Sequence, residues 1–164
     1  MPTLADHLMV LGVNHKVAPV DVREKLAFPQ SCGTVLMEIL SIDGCSECVF
    51  LSTCNRVEVY FVTREPEATA KNVRGFLFSQ SGLPDSESQK YSYLHQDEAA
   101  VHHTFRVAAS LDSMIVGEPQ ILGQLKTAYR NATETKTTGI FLNRLFDKAF
   151  SVAKRIRTET NIGG

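Results

Sequence analysis

Residues 48–63 read CVFLSTCNRVEVYFVT. Cys48 to Thr53 is a short apolar run with strand character. From Val57 to Thr63, the residues Val57, Val59 and Phe61 alternate with Glu58, Tyr60 and Val62, the period of a β-strand. Only Cys54, Asn55 and Arg56 lie between the two runs. That spacing predicts a hairpin with Cys54 at or near its tip, and Asn55 is a residue that turns favour.

Working outward, residues 7–14 (HLMVLGVN) form an apolar run read as a strand, broken by Ala18, Pro19 and Val20. Asp21 can cap a short helix carrying Val22, Leu26 and Phe28. A second helix is expected over Ser31–Ser41, with Val35, Leu36, Ile39 and Leu40 on one face, and Asp43-Gly44 marks a turn. Beyond the hairpin, Glu67–Ser79 reads as a helix, Ser81–Ser88 as a polar loop and Lys90–His95 as a fourth strand. Asp97 is a candidate N-cap for a helix whose face is Val101, Thr104, Phe105 and Ala108. Pro119 suits the first turn of the next helix, with Ile121, Leu122, Leu125, Ala128 and Tyr129 as its stripe. A last helix carries Leu142, Leu145, Phe146, Ala149, Val152, Ala153 and Ile156. The order β-α-β-β-α-β followed by helices predicts an α+β fold, a ferredoxin-like split β-α-β unit with an α-helical C-terminal extension.

The length of 164 residues favours one domain, large enough to bury a core without metals or disulfides. With 17 basic and 18 acidic residues the net charge is −1, so contact with nucleic acid must come from a local patch. No apolar run reaches membrane-spanning length and no signal peptide opens the chain, which implies a cytoplasmic protein and reduced cysteines. Cys45 and Cys48 form a Cys-x-x-Cys pair. A redox or zinc role is one reading, but zinc needs two further ligands at suitable spacing and the chain offers no second such motif. Coincidence is therefore the preferred reading, and no metal is expected. No Gly-x-Gly-x-x-Gly, Walker or His-Glu-x-x-His string occurs.

Cys54 is the sharpest candidate for chemistry. A thiol at a polar hairpin tip is reachable, and a neighbouring guanidinium favours the thiolate that attacks. The bland alternative is an idle surface thiol. Arg56 is either a salt-bridged strand residue or a forked partner for a substrate carboxylate. Cysteine catalysis often recruits a histidine from elsewhere in the chain, but spacing does not choose among His7, His15, His95, His102 and His103. Glu118 and Pro119 read most simply as a helix start. Lys148, Arg155 and Arg157 lie in one basic helix, a solvated face or a phosphate contact.

Four stretches, in order, resemble the glutamyl-tRNA reductase family: residues 12–20 (GVNHKVAPV) with Arg23 and Glu24, 52–60 (STCNRVEVY), 111–126 (LDSMIVGEPQILGQLK) and 153–163 (AKRIRTETNIG). The resemblance implies an enzyme that converts glutamyl-tRNA, with NADPH, into glutamate-1-semialdehyde, the entry step of five-carbon tetrapyrrole (5-aminolevulinate) synthesis. It implies that Cys54 is the nucleophile that forms a glutamyl thioester, with His103 assisting proton transfer. It further implies that Arg56 recognises glutamate, with Thr53, Asn55, Ser113 and Glu118 in the substrate set. Lys148, Arg155 and Arg157 become candidate tRNA contacts. Residues 1–164 then correspond to the N-terminal catalytic domain. The family's NADPH-binding domain and its helical dimerisation domain, the basis of a homodimer, lie beyond these residues. The isolated domain is expected to form and hydrolyse the thioester only. Glutamate-1-semialdehyde aminotransferase is a candidate partner. One departure is Ser110, where the family usually has glycine; placed on a helix two turns after His103, its hydroxymethyl group is expected to crowd the pocket or to add a hydrogen bond. The alternative is a non-catalytic module that binds tRNA or protein, and a third reading is a Cys-x-x-Cys redox domain.

Overall fold

The computed structural model describes residues 5–112 and 120–160. Four strands, β1 (His7–Asn14), β2 (Cys45–Ser52), β3 (Arg56–Thr63) and β4 (Tyr93–Gln96), form one sheet in the order β2-β3-β1-β4. Every neighbouring pair is antiparallel. Strands β1 and β2 flank β3, and β3 and β4 flank β1, which is the split β-α-β arrangement the element order predicts. The first crossover carries α1 (Val20–Glu24) and α2 (Cys32–Leu40); the second carries α3 (Pro66–Leu77) and α4 (Asp85–Lys90). The extension is α5 (Glu98–Ala108), α6 (Gln120–Thr135) and α7 (Ile140–Thr160).

Alternation along β3 does not divide core from solvent, because all eight of its residues are buried. One face, carrying Val57, Val59, Phe61 and Thr63, looks toward α3, where Thr63 and Thr69 hydroxyls meet at 2.8 Å. The other face carries Arg56, Glu58 and Tyr60 beneath α5 and α7. There Tyr60 packs edge-on against Phe146 at 5.1 Å, and Phe146 stacks on Tyr129 at 5.2 Å. The helical extension is thus the second layer that covers the polar face of the hairpin.

Buried polar groups hold that layer in place. The Glu47 carboxylate accepts from the backbone N–H groups of Gly139 (2.6 Å), Leu142 (2.9 Å) and Phe141 (3.2 Å) at the start of α7. These donors have no partner inside the helix, and the carboxylate also complements the positive end of its dipole. A side chain at Gly139 would collide with Glu47, since a Cβ there would lie 2.9 Å from its carboxyl carbon. Thr137 completes the attachment: its Oγ1 donates to the Cys48 carbonyl at 2.9 Å, and its own carbonyl accepts from Cys48 N–H at 2.8 Å.

Three sequence expectations need correction. Residues 85–90 are a helix rather than part of a polar loop, with Asp85 and Glu87 in its first turn and Lys90 in its last, so β4 begins only at Tyr93. Asp97 does not cap α5 with its side chain. Its φ is 55°, and its carboxylate turns back to accept from His7 Nδ1 (2.8 Å) and Leu8 N–H (3.1 Å) on β1. Ser110 is not on a helix. Helix α5 ends at Ala108, and Ser110 has φ 65°. Its N–H bonds the Val107 carbonyl at 3.0 Å, while Leu111 N–H bonds the Arg106 carbonyl at 2.8 Å. That pair of bonds is a Schellman ending, whose left-handed position favours glycine. Ser110 occupies it buried, and its hydroxyl accepts from Arg157 Nη2 at 3.1 Å, the added hydrogen bond among the two expected effects. Pro119 lies outside the described residues.

The turn at Ser110 separates two terms. Ser110→Ala keeps the left-handed backbone and loses the Arg157 contact; Ser110→Gly loses the contact but relieves the backbone. We expect the glycine variant to be more stable than the alanine variant by about 1 kcal/mol in denaturant unfolding.

Candidate active site

The β2–β3 hairpin presents its tip through local bonds. Thr53 Oγ1 accepts from the N–H groups of Asn55 (3.2 Å) and Arg56 (3.1 Å), and Thr53 N–H closes the turn on the Arg56 carbonyl at 2.8 Å. Cys54 is exposed there. Its carbonyl accepts from Arg23 Nη1 on α1 at 3.1 Å, which fixes the tip from a second element.

Directly beneath lies a row of buried charge. Glu58 has no exposed surface and Arg56 only 2%. The Glu58 carboxylate accepts from four side chains: Tyr60 OH at 2.5 Å, His103 Nε2 at 2.5 Å, Tyr93 OH, and Arg56 Nη1 at 3.5 Å. An ionised carboxylate offers about four acceptor sites, so this one is saturated. Gly12 sits opposite Glu58 across β1 and β3, and a Cβ there would come within 2.7 Å of both Glu58 Cγ and the Tyr93 hydroxyl. The glycine therefore makes room for the cluster.

Burial alone would push the Glu58 acid upward. The charge and hydrogen bond of His103, the charge of Arg56 and the hydrogen bond of Tyr60 outweigh it, lowering the pKa from 4.5 to about 2. Burial, and then the Glu58 charge, hold Tyr60 and Tyr93 well above their ordinary value, so both remain phenols that donate. Because Glu58 can only accept, the hydrogen of that bond is assigned to His103 Nε2, which leaves Nδ1 as the other ring position.

Arg56 reaches a second acid. Its Nη2 donates to the Asp112 carbonyl at 2.7 Å and to Asp112 Oδ2 at 3.1 Å, while the exposed Lys16 ammonium approaches Asp112 Oδ1 at 3.3 Å. Burial raises the Asp112 acid, and Arg56 and His103 pull it below the usual range. Asn14, Lys16, Val17, Tyr93, His95, His103 and Asp112 line a cleft of about 220 Å³. His95 stacks on His103 at 4.6 Å, and burial lowers its pKa first, with the neighbouring His103 adding to the effect.

The structure thus unites Thr53, Cys54, Asn55 and Arg56 on one hairpin and links Arg56 to His103 through Glu58. Ser113 and Glu118 lie outside the described residues. Lys148, Arg155 and Arg157 do not share one face. Seven residues bring Lys148 and Arg155 to the same exposed side, whereas nine place Arg157 half a turn away, where it meets Ser110. Glu58, Tyr93 and Asp112 were not among the site residues expected from sequence. The available signal was in β3 itself: with Tyr60 and Val62 on the same face as Glu58, that face was already apolar enough to be covered. Among the described residues no three His, Cys, Asp or Glu side chains converge as a metal site.

A folded-state pKa below the unfolded one contributes stability above the unfolded value, and that contribution disappears as pH falls through the folded value. Glu58→Gln is therefore expected to lose roughly 3 kcal/mol at pH 7. Its deficit should shrink between pH 4.5 and about 2, the interval over which wild-type Glu58 takes up its proton. Urea melts of both proteins across that range check this, and parallel curves would contradict it.

Comparison with known proteins agrees across three measures. A model of the family described as "Glutamyl-tRNAGlu reductase, N-terminal domain" matches residues 11–160. The chain is 52% identical over 157 residues to the glutamyl-tRNA reductase of Geobacter metallireducens, covering 95% of this chain and 36% of that protein. It is 49% identical over 159 residues to that of Syntrophobacter fumaroxidans, covering 96% and 34%. The solved glutamyl-tRNA reductase from Methanopyrus kandleri superposes with a TM-score of 0.73 at 33% identity, covering 93% of this chain and 34% of that one. The chain spans about a third of the length of these relatives. Matched in sequence over nearly its whole length and in overall fold, this chain belongs to the glutamyl-tRNA reductase family and corresponds to its N-terminal domain.

Proposed function

We propose that the chain performs the acyl-transfer half of glutamyl-tRNA reduction, with Cys54 as nucleophile. The observation that carries this reading is an exposed thiol on a hairpin tip whose stem is locked by buried charges. The Cys54 thiolate attacks the carbonyl carbon of the ester that joins glutamate to the terminal ribose. A C–S bond forms, the C–O bond breaks, and the departing ribose oxygen takes a proton. His103, oriented through its bond to Glu58, is the proton-transfer residue of this scheme. The thioester carbonyl stays electrophilic because sulfur donates little electron density into it. Water then returns glutamate and the free thiol.

The charged cleft suits the glutamyl group. Lys16 stands at its mouth and Arg56 supplies positive charge from below. A forked contact between Arg56 and substrate requires Arg56 to exchange its Asp112 partner, so its first role is to fix the tip and set the local potential. Thr53 and Asn55 shape the approach to Cys54, and Ser113 and Glu118 complete the substrate set. Lys148 and Arg155 are the candidates for tRNA phosphate contact, with Arg157 set apart from them.

The described residues do not fit a dinucleotide. All strand pairs are antiparallel, so no adjacent parallel β-α-β unit exists to place a helix N-terminus against a pyrophosphate. Reduction of the thioester to glutamate-1-semialdehyde belongs, in this reading, to the remaining length that the relatives possess. The same holds for a homodimer and for transfer of the aldehyde to an aminotransferase. No helix among the described residues is long and apolar enough to cross a membrane, and a cytoplasmic enzyme is part of the proposal.

The test uses residues 1–164 with glutamyl-tRNA and NADPH, measuring free glutamate and glutamate-1-semialdehyde side by side. Hydrolysis above the buffer rate with no aldehyde is expected. Cys54→Ser should reduce that hydrolysis by at least about a hundredfold, because a serine hydroxyl has no accessible anion at neutral pH. Undiminished hydrolysis by this variant, or substantial aldehyde from the wild type, would overturn the scheme.

A further inference from the structure

We propose that Cys45 and Cys48 are a reversible dithiol–disulfide pair, a redox modification site whose state is felt where α7 is attached. Spacing alone argued for coincidence. Side chains alternate along a strand, so cysteines three residues apart should face opposite ways. The sheet register removes that obstacle. Cys45 lies opposite Thr63 and Cys48 opposite Phe61, and the register shifts between Cys45 and Glu47. Ser46 is the extra residue of a β-bulge, and its hydroxyl donates to the Val62 carbonyl at 3.1 Å. Thr63 and Phe61 are two residues apart and share a face of β3, so the two cysteines share that face as well.

That placement sets the geometry of a bridge. Two residues of antiparallel strand span about 6.8 Å, the upper edge of the Cα separation that a disulfide joins. The two sulfurs already lie within hydrogen-bond reach of each other. A bridge at that edge closes under strain, and strained disulfides are the readily reduced, switching kind.

The thiols are unequal. Cys45 is half-buried, whereas Cys48 has no exposed surface and donates to the Leu36 carbonyl at 3.4 Å. The hydrogen bond from Cys48 lowers the Cys45 pKa; the same bond, and then burial, raise that of Cys48. Cys45 is thus the attacking thiol and Cys48 the resolving one. The oxidant is a low-molecular-weight disulfide, R–S–S–R. The Cys45 thiolate attacks one of its sulfurs, a Cys45–S–S–R bond forms, and R–S⁻ leaves and takes up the proton that Cys45 released. Cys48 sulfur then attacks Cys45 Sγ, and its proton goes to the second departing R–S⁻. Two cysteine thiols lose two electrons, and one R–S–S–R becomes two R–SH.

The pair straddles the joint that holds α7. Glu47, inside the ring that the bridge closes, accepts from Gly139, Phe141 and Leu142 N–H, and the Cys48 main chain exchanges two bonds with Thr137. Drawing Cys45 toward Cys48 shifts the backbone on both sides of Glu47, so the start of α7 moves with the redox state.

The experiment equilibrates the chain with oxidised glutathione, blocks the remaining thiols and cleaves after glutamate. The cut after Glu47 parts Cys45 from Cys48 unless a bridge joins them. Fragments 39–47 and 48–58 should stay joined in the wild type and in Cys54→Ser, and should separate in Cys45→Ser and Cys48→Ser. In Cys48→Ser, fragment 39–47 should instead carry one glutathione, because the resolving thiol is gone. Excess reduced glutathione should reopen the wild-type bridge. In NMR spectra of Cys54→Ser, oxidation should shift the backbone amide signals of Gly139, Phe141 and Leu142. Separate fragments after oxidation, or a bridge that reduced glutathione leaves intact, would overturn the switch. A bridge that leaves those three signals in place would overturn its link to α7. The wild type and Cys54→Ser decide both points even if a substitution at Cys48 unfolds the chain.

Discussion

A single buried carboxylate organises this fold. Glu58 has no exposed surface, and a charge in that position is tolerated only when its lone pairs are met by donors. The donors come from three elements: Arg56 and Tyr60 on β3, Tyr93 on β4, and His103 on α5. Satisfying Glu58 therefore forces the sheet, its edge strand and the helical extension into one relative placement. Arg56 passes the constraint on to Asp112, just beyond the Schellman turn at Ser110, and that turn is tied in turn to α7 by Arg157. The hairpin tip that carries Cys54 rests on the top of this stack.

A consequence is that the tip of the hairpin is both exposed and firmly based. Local bonds of Thr53 shape the turn, Arg23 holds the Cys54 carbonyl, and Arg56 anchors the first residue of β3. In the proposed acyl transfer a nucleophile held on such a base gains, because misplacement of even an ångström lowers rates steeply. On either side of the tip the surroundings differ in kind. One cleft is lined by lysine, histidine and aspartate, and the other groove by neutral amides and rings.

The strands and most helices were readable from residue patterns because those patterns are local. The apolar run at His7–Asn14 and the alternation after Arg56 lie where the strands lie. The misreadings have different origins: at Asp97 distant partners outranked local preference, whereas at 85–90 and at Ser110 the deciding bonds are local. Asp97 looked like a helix cap, but its carboxylate is committed to β1, with partners 89 and 90 residues away. Ser110 looked helical, yet the chain needs a left-handed residue there to end α5. The acid cluster was not readable at all: Glu58 meets Tyr93 across 35 residues and His103 across 45, and Arg56 meets Asp112 across 56. Residue pattern located Cys54 and its turn; resemblance, not spacing, singled out His103 among five histidines.

The role of Cys54 is open to direct observation. Glutamyl-tRNA mixed with residues 1–164 and quenched in acid within seconds, then analysed by intact mass and peptide mapping, reports any covalent species before water removes it. An adduct of one glutamyl group on the peptide containing Cys54, lost on treatment with neutral hydroxylamine, is the expected result. Turnover of glutamyl-tRNA without any adduct on Cys54, or an adduct mapping to Cys32, Cys45 or Cys48, would contradict it.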